Sequence, residues 1–176
     1  MKIKRILLLC TCTFLLITQS SALIYDVVAE EKPISCSLSN FPIPKEGEVI
    51  LLSDNSDYIE TTGAIITEWV DKTYSIRIQD PGGSCVSSAQ VKITGEYSYD
   101  TTSNEILSVN LSSQLSYVPS LWTVEIQRSF HSVVGQGITY SINYSSRVDD
   151  PYSCLVGGGN WYSRATFTIK WLAIFE

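Results

Sequence analysis

The sequence predicts an all-β protein, an antiparallel β-sandwich or partly open barrel of about eight or nine strands with an irregular N-terminal arm. Three observations carry that expectation. Apolar side chains alternate with Ser, Thr, Asn and Gln at a period of two in several segments. Polar turn sequences separate those segments. Apolar residues do not recur at the helical period over a useful length.

The chain opens on what reads as a cleavable secretory signal peptide, residues 1–22. Lys2, Lys4 and Arg5 form a basic start, residues 6–17 an uncharged apolar run, and Ser20-Ser21-Ala22 a small-residue cleavage site. The run is about a dozen residues, short of the roughly 20 that cross a bilayer. Cleavage is expected after Ala22, with Ala29 as the alternative, because Val27-Val28-Ala29 fits the same rule. Lipid attachment at Cys10 or Cys12 would need a small residue before the cysteine, and Leu9 precedes Cys10. The expected localisation is extracellular, with no stable membrane anchor after cleavage.

Residues 23–45 read as an irregular arm. They hold Glu30, Glu31, Pro33, Pro42 and Pro44, and Pro fixes its own backbone angle while removing a donor. Residues 46–176 read as a single β domain. It begins with the apolar run Val49-Ile50-Leu51-Leu52, then a segment over 64–70 and another over 74–78, where Tyr74, Ile76 and Ile78 share a face. Asp80-Pro81-Gly82-Gly83 supplies a turn. Val91, Ile93, Gly95, Tyr97 and Tyr99 then share one face of a hairpin. Residues 100–104 connect it, and Leu107, Val109 and Leu111 return. Trp122, Val124 and Ile126 alternate next, followed by Tyr140, Ile142 and Tyr144. The last segment places Ala165, Phe167, Ile169 and Trp171 on one face and Thr166, Thr168 and Lys170 on the other. Its end is apolar on both faces and reads as a covered strand.

Charge and cysteines bound the function. The full chain holds 12 Lys and Arg against 18 Asp and Glu. Removal of the leader takes three bases and no acids, which leaves a net charge of −9 on the 154 residues that follow Ala22. Such a surface repels phosphate backbones, so nucleic acid is excluded as a partner. Cys36, Cys85 and Cys154 follow the leader, and two are expected to pair in an oxidising compartment. Cys85 with Cys154 is favoured, because each sits just after a turn sequence. Cys36 with Cys85 is the alternative. No Cys-x-x-Cys spacing occurs and there is one histidine, so no metal or cofactor is expected.

Few residues offer chemistry. His131 is the sole histidine and has no Gly-x-Ser-x-Gly nucleophile elbow to serve. Asp149-Asp150 precedes Pro151, as in an ordinary turn, and lacks the spaced ligands of a calcium loop. Glu125 with Asp149 or Asp150 could form a glycosidase pair only if folding set them across a cleft. Asn110 and Asn143 head glycosylation sequons. The segment with most binding character is Gly157, Gly158, Gly159, Asn160, Trp161 and Tyr162. Glycines admit close approach of a ligand to backbone, and the two rings offer flat faces to sugars or proteins.

These readings favour a non-enzymatic extracellular protein that binds a protein or glycan through Gly158, Gly159, Asn160, Trp161 and Tyr162. The alternatives are an exported polysaccharide hydrolase using acidic residues and a secreted, membrane-active β protein. Composition does not fix the oligomeric state.

Overall fold

The computed structural model describes residues 41–149 and 159–171, all within the unit Ser35–Glu176. The leader, residues 23–40 with Cys36, and residues 150–158 with Asp150, Cys154, Gly157 and Gly158 lie outside the described residues. The fold is an antiparallel β-sandwich. Its strands are β1 (Val49–Asp54), β2 (Asp57–Thr62), β3 (Ile65–Gln79), β4 (Val86–Asp100), β5 (Ile106–Tyr117), β6 (Trp122–Val134), β7 (Gly137–Val148) and β8 (Trp161–Trp171). One sheet runs β1-β3-β4-β5, with β2 also paired to β3, and the other runs β6-β7-β8. No helix occurs among the described residues.

The alternation read from the sequence is what fills the space between the sheets. Tyr74, Ile76 and Ile78 of β3 and Ala89, Val91, Ile93 and Tyr97 of β4 are buried against Ile138, Tyr140, Ile142 and Tyr144 of β7 and Ala165, Phe167 and Ile169 of β8. The rings of Tyr74 and Phe167 meet across the layer at 4.7 Å between centroids. Each fully buried Ile or Phe contributes about 1.5–3 kcal/mol relative to exposure. Burial of tyrosine and serine in such a layer requires partners for their hydroxyls, and the opposite sheet supplies them. Tyr144 Oη donates to the Arg77 carbonyl at 2.6 Å, and Ser146 Oγ donates to the Gln79 carbonyl at 2.8 Å. Tyr74 Oη donates to the Thr168 carbonyl at 3.2 Å and Tyr140 Oη to Ser113 Oγ at 3.2 Å. Burial pushes the phenols of Tyr74 and Tyr144 up to about 12, so both act as donors at neutral pH.

Turn chemistry fixes the strand ends. Asp80 closes the β3–β4 hairpin: its backbone N–H donates to the Cys85 carbonyl, and its carboxylate accepts the N–H groups of Cys85 at 2.6 Å and Gly82 at 3.0 Å. Gly83 takes the positive φ, +69°, that the turn demands. In the β4–β5 turn, Asp100 accepts from the backbone of Thr102 and Ser103, which holds its carboxyl below the usual range.

The structure corrects the sequence reading at four places. The segments over 64–70 and 74–78 are one strand of 15 residues, β3, continuous through Asp71, Lys72 and Thr73. Lys72 points inward there. It donates to the Ile169 carbonyl at 2.9 Å and pairs with Asp54 at 3.0 Å, so its charge is satisfied at the seam between the sheets. β2 was not foreseen; its sequence, DYIETT, has no apolar alternation. It lies beside β3 on the same flank as β1, so β1 and β2 form one edge broken at Asn55 and Ser56. The Asn55 N–H donates to the Asp71 carbonyl and the Asp71 N–H to Ser56 Oγ, bridging the break. Leu107 does not join the apolar face. A register shift between Ser98 and Tyr99 bulges it out, 49% exposed. A second shift, between Ile138 and Thr139, brings Lys170 opposite Ile138 and so to the inner face, not the outer one.

The described part of the arm, residues 41–45, contributes no strand and lies on the outer face of the five-stranded sheet near the β3–β4 turn. The Phe41 ring meets Tyr117 edge-on at 5.2 Å. Ser75 Oγ donates to the Pro42 carbonyl at 2.9 Å and Arg77 Nη1 to the Pro44 carbonyl at 3.4 Å. This cover explains why Ser75, an outward serine, is fully buried.

Candidate functional site

The predicted binding segment divides. Gly158 lies outside the described residues. Gly159 and Asn160 are exposed and lead into β8. Trp161 turns inward, opposite Ser146, and its ring meets Tyr144 edge-on at 6.0 Å, packed against the core. Tyr162 faces the other way, opposite Ser145, and is 63% exposed. The two rings therefore do not form one surface: Trp161 belongs to the rim of the core and Tyr162 to the outer face of the three-stranded sheet.

The titratable candidates are placed as follows. His131 is exposed on β6, opposite Tyr140. Glu125 is exposed on the outer face, opposite Ser145. Asp149 accepts a hydrogen bond from Thr123 and pairs with Arg147 at 2.9 Å, which together hold its carboxyl below the usual range. Asp149 is thus engaged at the end of β7. Among the described residues, no three His, Cys, Asp or Glu side chains gather as a metal site would require.

The most constrained carboxylate was not foreseen. Glu68 lies on the inner face of β3, two residues before the buried Val70. It accepts from Tyr97 Oη, from Tyr99 Oη at 3.1 Å, and from Lys170 Nζ of the opposite sheet at 3.0 and 3.1 Å. Lys170 Nζ also stands 5.8 Å from the Tyr99 ring centroid. Burial works to raise the Glu68 pKa. The hydrogen bonds from Tyr97 and Lys170 and the Lys170 charge outweigh burial, so the carboxyl sits below its ordinary value. Burial and the bond to Glu68 push the Tyr97 phenol up. The cluster is an ionised carboxylate saturated by three side-chain donors, chemically a clamp between sheets.

The outer face of the five-stranded sheet has a different character. Register places Trp69 opposite both Asp57 of β2 and Glu96 of β4. Thr67 and Ser98 share a hydrogen bond at 2.8 Å beside it, and Thr94 and Ser112 another at 3.3 Å. Asn110 is exposed opposite Glu96. Over this hydroxyl-coated surface Trp69 stands 40% exposed, with Ile65, on the same face, at 39%. A period-two reading could have found it: Val70 is in phase with the core and Trp69 is out of phase.

Comparison of the chain with protein-family models, with curated proteins and with solved structures returns no match.

Proposed function

We propose that the chain is an exported, non-enzymatic protein that binds polysaccharide through the outer face of its five-stranded sheet. The observation that carries this reading is Trp69, a large ring left exposed with hydroxyl, amide and carboxylate side chains as its cross-strand neighbours. A sugar ring presents an apolar CH face to an indole, and its hydroxyls would donate to Asp57, Glu96 and Asn110 around the ring. The state of Glu68 supports binding over hydrolysis. Its carboxyl is shifted down and occupied, whereas a glycosidase acid is shifted up and directed at substrate.

Trp69→Ala is expected to weaken binding to the best ligand of a glycan array about tenfold while moving stability by less than about 0.5 kcal/mol, since an exposed side chain leaves no cavity. Isothermal titration and urea unfolding of the two proteins check both halves. Unchanged affinity would remove this face from the reading.

Export implies oxidation of the cysteines. The pairing that fits is Cys85 with Cys154. Cys85 is buried at the start of β4. The Ser146–Gln79 hydrogen bond and the Ser146–Trp161 pairing set the end of β7 and the start of β8 beside the end of β3, near the turn that ends at Cys85, and Cys154 falls between those two strands in sequence. Non-reduced peptide mapping is expected to yield a Cys85–Cys154 peptide; a Cys36–Cys85 peptide would tie the arm to the body instead.

A further inference from the structure

The outer face of the three-stranded sheet carries a second, chemically distinct feature. Four described basic side chains have a carboxylate at ion-pair distance: Lys72, Lys92, Arg147 and Lys170. Arg128 of β6 and Arg164 of β8 pair with no described carboxylate, in a chain where acids outnumber bases. Register places both opposite Asn143 of β7, on one face. Their guanidinium carbons stand 5.8 and 5.3 Å from the centroid of one ring, Phe130, and Arg164 Nε donates to Asn143 Oδ1 at 3.0 Å. Two like charges held beside one ring repel, and the attraction of both to that ring keeps them near one another before any ligand arrives. An anion between them relieves the repulsion and meets guanidinium donors that no described carboxylate occupies.

The geometry points to a binding site for an acidic polysaccharide here, where two cations without a described carboxylate partner locally reverse the sign of a net-acidic chain and take the anionic groups of the ligand, Arg128 and Arg164 together. Guanidinium matches a carboxylate or sulfate in two parallel hydrogen bonds. Tyr162, exposed in the adjoining row, offers a face to the sugar ring that carries the anion. Ser141, Thr166 and Asn143 supply the polar surroundings, and the row holding Phe130 offers no large apolar patch of the kind a protein interface centres on. Glu125, next to Tyr162's row partner Ser145, bounds the site on one side by repelling the same ligand. The site lies on the sheet opposite to Trp69, so its fate is independent of the reading above.

The test titrates the protein with polygalacturonate, a sulfated glycosaminoglycan, neutral dextran and single-stranded DNA, at low and raised salt. Binding to an acidic polysaccharide is expected. It should fall at least tenfold in Arg164→Ala and in Arg128→Ala, and Arg164→Lys should fail to restore it. Lys45→Ala should leave it unchanged. Preference between the uronate and the sulfated polymer names the anion, and either preference upholds the site. Equal binding to DNA, equal affinity in Arg128→Gln/Arg164→Gln, or no binding to either acidic polymer would overturn it. The double glutamine variant keeps the aliphatic stems over Phe130, and its thermal midpoint checks that it folds.

Discussion

Gly95→Ala is expected to cost about 4 kcal/mol or more, enough to abolish a stable fold in a domain of ordinary marginal stability. Gly95 sits mid-strand in β4, paired with Val70 of β3 and Leu111 of β5. Its φ of +143° is one that a side-chain-bearing residue rarely adopts. A Cβ built there would lie 2.0 Å from the Asn110 carbonyl oxygen and 2.9 Å from the Leu111 Cα. Those are backbone atoms in a paired strand, so neither can swing aside. Relief would require β5 to separate from β4, with loss of the ladder and of Leu111 from the layer. Soluble yield and the urea midpoint read the effect; a variant within 1 kcal/mol of the parent would contradict this placement of β5.

Glu68→Ala is the second large effect, expected at about 3 kcal/mol. It strips Lys170 of its counter-charge and leaves the Tyr97 hydroxyl without its acceptor in a nearly buried position. Adding Lys170→Met should recover part of the loss, and a double-mutant cycle by urea unfolding measures that coupling. The same clamp predicts an acid limb. Because the folded carboxyl lies below its ordinary 4.5, its contribution is complete above that value and fades as pH falls through 4.5 toward the folded pKa. Glu68→Gln should be less stable than the parent at neutral pH and lose less stability on acidification. At the alkaline end the sign follows Tyr97. Its folded pKa lies above the ordinary 10.0, so stability falls as pH rises past that value.

The sandwich itself was legible because burial on one face writes a period of two, and β4, β7 and β8 keep it with few breaks. The losses were local. Lys72 occupies an inward position of β3 as a charged group, which reads as a strand ending, when the partners that make it tolerable, Asp54 and Ile169, are distant in sequence. Glu68 fell inside the predicted segment over 64–70, but its partners Tyr97 and Lys170 are as distant. One-residue bulges displaced Leu107 and Lys170 from the phase that alternation assigned them. Of the candidate site, Tyr162 was foreseen as an available ring. Trp161 was not separable from it, since adjacent strand residues take opposite faces and only Tyr144 decides which one is inside. Trp69 gave only its phase, outward beside the inward Val70, and Arg128 and Arg164 gave no local signal. Their significance depends on which cross-strand neighbours they have, and pairing is a property of topology.

The interrupted flank of β3 has a consequence for how copies of the molecule meet. An uninterrupted 15-residue margin would template a further strand. Here an incoming chain finds two six-residue stretches parted at Asn55 and Ser56, each broken again by a register shift of its own, at Leu51/Ser53 and at Tyr58/Glu60, and has no straight row to zip along. The gap denies fibril growth a straight starting row at this margin, in a protein whose described residues lie mostly in the secondary structure that fibrils use.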